Sequence, residues 1–156
     1  MSATTDNLQP TRRWWQQFSP EPRSVPLARH QVQVALREWR CDQNDADCIV
    51  LVTSELVTNA ILHGSSTERP VEVCLTLAEG SCLLEVSDSS PRGAGMRTPA
   101  DTNEHGRGLL LVSQLATRNG TTFRGHIGKT VWAQMPATSC QDATMQGRWP
   151  VRWCGN

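Results

Sequence analysis

Two runs of alternating apolar residues joined by Glu79-Gly80 constrain this chain more than any other feature. In the first run Val71, Val73, Leu75 and Leu77 share one face, and in the second Cys82, Leu84 and Val86 do. A period of two marks a strand with one covered and one open face. A two-residue turn ending in glycine joins two such strands antiparallel. A chain with this hairpin must therefore build an antiparallel sheet and cover one side of it. The same parity puts Asp88 on the covered face, at the end of the second strand. A carboxylate that faces inward needs a partner, which makes Asp88 the first candidate functional residue. Cys74 falls on the face opposite Cys82, so no bridge between those two is expected.

Helical periodicity supplies the cover. Ser24 reads as an N-cap with Pro26 in the first turn of a helix reaching about Trp39. Asp45 or Asp47 reads as the cap of a second helix running to His63, with Gly64 just past its end. Ile49, Val52, Leu56, Val57, Ala60 and Ile61 form its apolar stripe. A short strand at 13–18 comes first, a third helix spans 106–116, and two last strands fall at about 121–126 and 129–135. Helices on one face of a mostly antiparallel sheet make an α+β fold, a two-layer α/β sandwich. The chain has 156 residues, 38% of them hydrophobic, which suits a disordered lead over 1–11, one domain over 12–136 and an irregular tail over 137–156.

Fifteen basic and fifteen acidic residues cancel to a net charge of +0, which argues against a general binder of nucleic acid or anionic membrane. Nothing approaches the roughly 18 consecutive apolar residues of a membrane helix, and the polar N-terminus lacks a signal peptide's apolar core. A cytoplasmic protein is expected. The six cysteines include no C-x-x-C pair and the histidines do not cluster around them, so neither a metal nor a disulfide role is expected of the cysteines.

On the second helix Glu55, Asn59 and His63 recur every four residues and stack along one stripe. A solvated helix face has the same look, but this helix is otherwise apolar and asparagine is a poor residue for its middle. A carboxylate one turn before a carboxamide suits a base beside a neutral oxygen ligand for Mg²⁺. Beyond a long loop over 89–105, Gly106-Arg107-Gly108 opens the third helix. Glycines there are either a tight turn or a place where amides and the helix dipole meet an anion. Gly128-Lys129-Thr130 imitates the end of a P-loop, but Phe123 stands where the loop's first glycine belongs and a strand follows instead of a helix.

Four segments, SELVTNAILHG (54–64), EVSDSSP (85–91), HGRGLLLV (105–112) and GKTVWAQMP (128–136), resemble in order and spacing the motifs of the GHKL ATPase superfamily, which includes gyrase B, histidine kinases and MutL. The similarity is strongest to its small RsbW/SpoIIAB-like anti-sigma-factor serine kinases. It implies the Bergerat ATP-binding fold, with ATP and Mg²⁺ as cofactors. By that resemblance Glu55 would activate the attacking hydroxyl, Asn59 would hold the metal, and Asp88 would accept from the adenine amino group. Residues 91–105 would form a lid. Gly106 and Gly108 would offer amides to the phosphates, with Arg107 as a charge partner. The substrate would be a serine on a STAS-type anti-anti-sigma protein, and a homodimer would sequester a sigma factor. Two departures stand out: Asp88-Ser89-Ser90 replaces the usual D-x-G, and Lys129 falls where the family has an adenine-side threonine. Strand parity still turns Lys129 inward with Val131, Ala133 and Met135. The alternative function is a non-catalytic, ATP-gated module that sequesters a sigma factor or other transcription regulator.

Overall fold

The computed structural model describes residues 11–64, 68–90, 102–138 and 140. Its elements run β1 (Arg12–Phe18), α1 (Ser24–Glu38), α2 (Gln43–His63), β2 (Val71–Ala78), β3 (Ser81–Asp88), α3 (Thr102–Leu115), β4 (Arg118–Phe123) and β5 (Lys129–Pro136). The five strands form one sheet in the order β1-β2-β3-β5-β4, and every neighbouring pair is antiparallel. This is the two-layer α+β architecture that the hairpin demands. The hairpin itself turns on Glu79 at φ 50° and Gly80 at φ 72°, the left-handed pair whose twist matches that of the flanking strands.

Alternation decides which face is covered. Val71, Val73 and Leu75 of β2, Cys82, Leu84 and Val86 of β3, and Ala133 and Met135 of β5 are all at most 2% exposed. They meet Ala28, Val32 and Leu36 of α1 and Ile49, Val52, Leu56 and Val57 of α2, each at 1% exposure or less. Burying that many branched side chains, at roughly 1.5–3 kcal/mol apiece, is what fixes α2 across β3 and β5 with α1 and α3 at its sides. By length and mean hydropathy (1.3) α2 could also span a membrane; here its apolar stripe lies in the core.

Helix ends differ from the sequence reading in three places. Arg23, not Ser24, is the N-cap of α1 and makes no side-chain cap bond, while Ser24 is the first helical residue and is buried. Asp42 caps α2, accepting from the amides of Asn44 and Asp45; three aspartates lie close together there, and only the outermost lies before the first turn. Gly64 ends α2 in an extended conformation with φ −64° and ψ 136°, not the left-handed one. In addition β4 begins three residues earlier than expected, because Gly120 is taken into the strand against the Trp132 ring.

The expectation of only free thiols is overturned: Cys41 and Cys140 form a disulfide, 99 residues apart in sequence and with Cα atoms 4.1 Å apart. Local spacing carries no information about such a contact, which arises because the α1–α2 elbow and the chain leaving β5 converge. The chain after β5 also packs inward at Ala137, which is 1% exposed and donates its amide to the Gly80 carbonyl. Cys48, Cys74 and Cys82 remain thiols. Trp149 and Trp153 lie outside the described residues.

Candidate functional site

The end of the sheet where β3 finishes and β5 begins holds the buried acid. Asp88 is 3% exposed, as its strand parity demands. Its Oδ1 accepts the amide of Ser90 at 2.8 Å, an Asx turn that breaks the strand. Its Oδ2 has no hydrogen-bond partner, and among the described residues it is the single buried side-chain polar atom in that state. Directly across the ladder stands Lys129, whose Nζ lies 3.9 Å from Oδ2. That separation falls within ion-pair range and beyond a hydrogen bond. Lys129 thus faces inward, as its alternation with Val131 and Ala133 implies.

Gly128 makes this juxtaposition sterically possible. Its φ is +150°, and a Cβ there would overlap the carbonyl oxygen of Asp88 and lie 2.9 Å from the Cα of Ser89. The same Asp88 carbonyl accepts from Arg124 Nη2 at 3.4 Å. Ser90 stands where the family pattern has glycine, and its side chain is used: Oγ donates to the carbonyl of His63 at 2.9 Å. That carbonyl is one of the last in α2 and has no partner within the helix, so the serine ties the end of α2 to the exit of β3.

From this tie α2 runs back over the sheet, and Glu55, Asn59 and His63 lie along it at one-turn intervals, all partly exposed. Eight residues of helix span about 12 Å, so Glu55 sits two turns back along α2 from the His63 end that Ser90 ties to β3. At that far position the Glu55 carboxylate lies against Gly108 of α3: a Cβ on Gly108 would fall on Oε2 and within 3.3 Å of Cδ. The absent side chain is what lets α3 approach the acid.

The glycine motif departs from its expected placement. The helix starts at Thr102, one turn before Gly106, so Gly106, Arg107 and Gly108 lie inside it. For residues 102–107 only the backbone is described, and the rest of the expected lid, 91–101, lies outside the described residues. The open amides of a helix are those of its first turn, so in this structure Gly106 and Gly108 are not at the open end. A surface hollow lined by Gln17, Phe18, Glu21, Glu68 and Pro70 opens on the β1 side and includes none of these groups. Among the described residues no cluster of three or more His, Cys, Asp or Glu side chains could hold a metal ion.

A family profile described as histidine kinase-like ATPase domain matches residues 18–135, most of the chain and every element of the site. The chain belongs to the histidine kinase-like ATPase family. A crystal structure of the RsbU and RsbW domains of Rv1364c from Mycobacterium tuberculosis has a similar fold, with a TM-score of 0.64 and 23% sequence identity. The match covers 81% of this chain and 33% of that one, so this histidine kinase-like ATPase spans about a third of the length of that relative. No protein of curated function matches it in sequence. Membership in a family of ATPase domains implies ATP binding. Sequence reasoning passed over two contributors, Gly128 as the spacer beneath Asp88 and Ser90 as the tie to α2. A glycine just before an inward-facing strand residue was the available signal for the first, and the second had none.

Proposed function

We propose that this chain is an ATP-binding regulator, a Mg-ATP-dependent protein serine/threonine kinase that phosphorylates a STAS-type anti-anti-sigma partner and acts as an anti-sigma factor. One observation carries the reading: a buried carboxylate oxygen at the end of β3 has no hydrogen-bond donor, and Ser90 ties that strand end to α2, the helix that carries Glu55 and Asn59. In this reading Asp88 Oδ2 accepts from the adenine amino group, which would satisfy an atom otherwise costly to bury. Glu55 takes the proton of the attacking serine hydroxyl, and Asn59 supplies a neutral oxygen to the magnesium. Magnesium keeps most of its shell from water and phosphate oxygens, so a single carboxamide beside a carboxylate fits it where a dedicated cage is missing. The ion would neutralise charge on the transferred phosphoryl group; the protein's share is positioning and exclusion of water. Arg107 balances phosphate charge, and offering the Gly106 and Gly108 amides to the phosphates requires the first turn of α3 to open. Assembly as a homodimer and a cytoplasmic setting, with 12–136 as the working domain, belong to the same proposal.

Incubation with labelled ATP and the cognate STAS protein is expected to transfer phosphate to the partner, and Glu55→Gln to abolish transfer while leaving ATP binding intact. Undiminished transfer by Glu55→Gln would remove that residue from its role. The helix-internal position of Gly106 and Gly108 favours one other reading, an ATP-gated module that sequesters a regulator without transfer. Tight ATP binding with no phosphorylation of any STAS partner would select it.

A further inference from the structure

We infer that Lys129 reads the nucleobase together with Asp88, donating from its ammonium to the ring nitrogen beside the amino group that Asp88 Oδ2 accepts. This rests on the adenine assignment above and adds to it a residue that sets base specificity.

The geometry of the pair carries the argument. The Asp88 side chain is 2% exposed and that of Lys129 18%, so both are largely withdrawn from water. A lysine present only to neutralise a buried carboxylate would close to about 2.8 Å. Lys129 Nζ instead stands at 3.9 Å, and Oδ2 is left with no hydrogen bond. They are register partners on adjacent strands, and Gly128 lets the backbone before Lys129 close on the Asp88 carbonyl, so both side chains leave the sheet at one place. The result is a buried acceptor beside a donor whose flexible stem can adjust to a base. A single carboxamide offers adenine the same pair when it bridges the amino group and the neighbouring ring nitrogen. Those two purine atoms lie closer together than Oδ2 and Nζ, so two ordinary hydrogen bonds of about 2.9 Å converge on them without either side chain moving far. Guanine carries an oxo group in place of the amino group and would set an acceptor against the carboxylate there.

Calorimetric titration of the full chain with ATP, 1-deaza-ATP and 7-deaza-ATP tests this, each analogue lacking one of the two ring nitrogens that flank the amino group. The unmutated protein is expected to bind one of the analogues at least about tenfold more weakly than ATP. Lys129→Met should bind that analogue and ATP alike, whereas Lys129→Arg, which keeps charge and donors, should retain the discrimination. Because the analogues are compared on the unmutated chain, a variant that folds poorly does not decide the matter. If both analogues bind as ATP does while Asp88→Asn still weakens ATP, Lys129 has no role in reading the base and the adenine assignment survives. If Asp88→Asn binds ATP like the unmutated protein, the assignment itself falls and this inference falls with it.

Discussion

The Glu55 carboxylate of α2 rests on the bare Cα of Gly108 in α3. This contact joins the candidate base to the helix carrying the glycine motif, and it makes stability and chemistry separable by experiment.

Gly108→Ala removes a flexible residue from a helix interior, which favours the fold by about 0.8–1 kcal/mol. The new methyl meets the far end of a mobile side chain, so Glu55 swings aside and the helices stay in place. Thermal unfolding should therefore be unchanged or shifted upward, while phosphate release from ATP falls at least about tenfold. Unaltered turnover would show that the position of Glu55 is immaterial.

Gly128→Ala should behave in the opposite way. The obstruction there is the backbone of Asp88 and Ser89, which cannot rotate away, and φ +150° is strained for any residue with a Cβ. A loss of about 3 kcal/mol is expected by urea unfolding, together with weakened ATP binding because the Asp88–Lys129 pair is pushed apart. Unfolding at the unmutated midpoint would contradict the close approach.

Reducing the Cys41–Cys140 bond opens a loop of about a hundred residues, whose closure is worth roughly 4.7 kcal/mol by chain entropy and typically about 2–4 kcal/mol in practice. Dithiothreitol should lower the urea midpoint of the unmutated protein and leave that of Cys41→Ala unmoved. Equal midpoints with and without reductant would mean that the tether contributes nothing to stability.

Burial, and secondarily the neighbouring Cys74, push the Cys82 thiol from an ordinary 9.0 up to about 12. Below 9.0 this thiol is neutral in both folded and unfolded chains. As pH climbs toward 12, the unfolded chain ionises while the folded one holds its proton, so stability falls across that window. Iodoacetamide at about pH 8.5 should label Cys48, which is partly exposed, and spare Cys82, since the thiolate is the reactive form. Peptide mass spectrometry reads the outcome, and rapid native labelling of Cys82 would refute its burial.

Wherever one local rule decided the outcome, the fold was legible in the sequence. Alternation fixed the β2–β3 hairpin, the inward turn of Asp88 and that of Lys129, because a period of two leaves a side chain only two directions. Helix starts were read less well: Asp42, Asp45 and Asp47 are all acceptable caps by chemistry, and only the direction in which the chain enters α2 selects Asp42. The third helix was begun at its glycines, where their poor helix propensity suggested a boundary that packing overrides. The disulfide and the Ser90–His63 bond were invisible because both join segments that meet only through the fold.

Because α2 fills the core with one face and carries Glu55 and Asn59 on the other, it has no freedom to adjust them independently. A change of volume at Val52 or Leu56 must roll the helix, and a roll displaces the acid and the carboxamide together. Drift in the interior of this protein therefore moves these two side chains first, well before the chain loses its ability to fold.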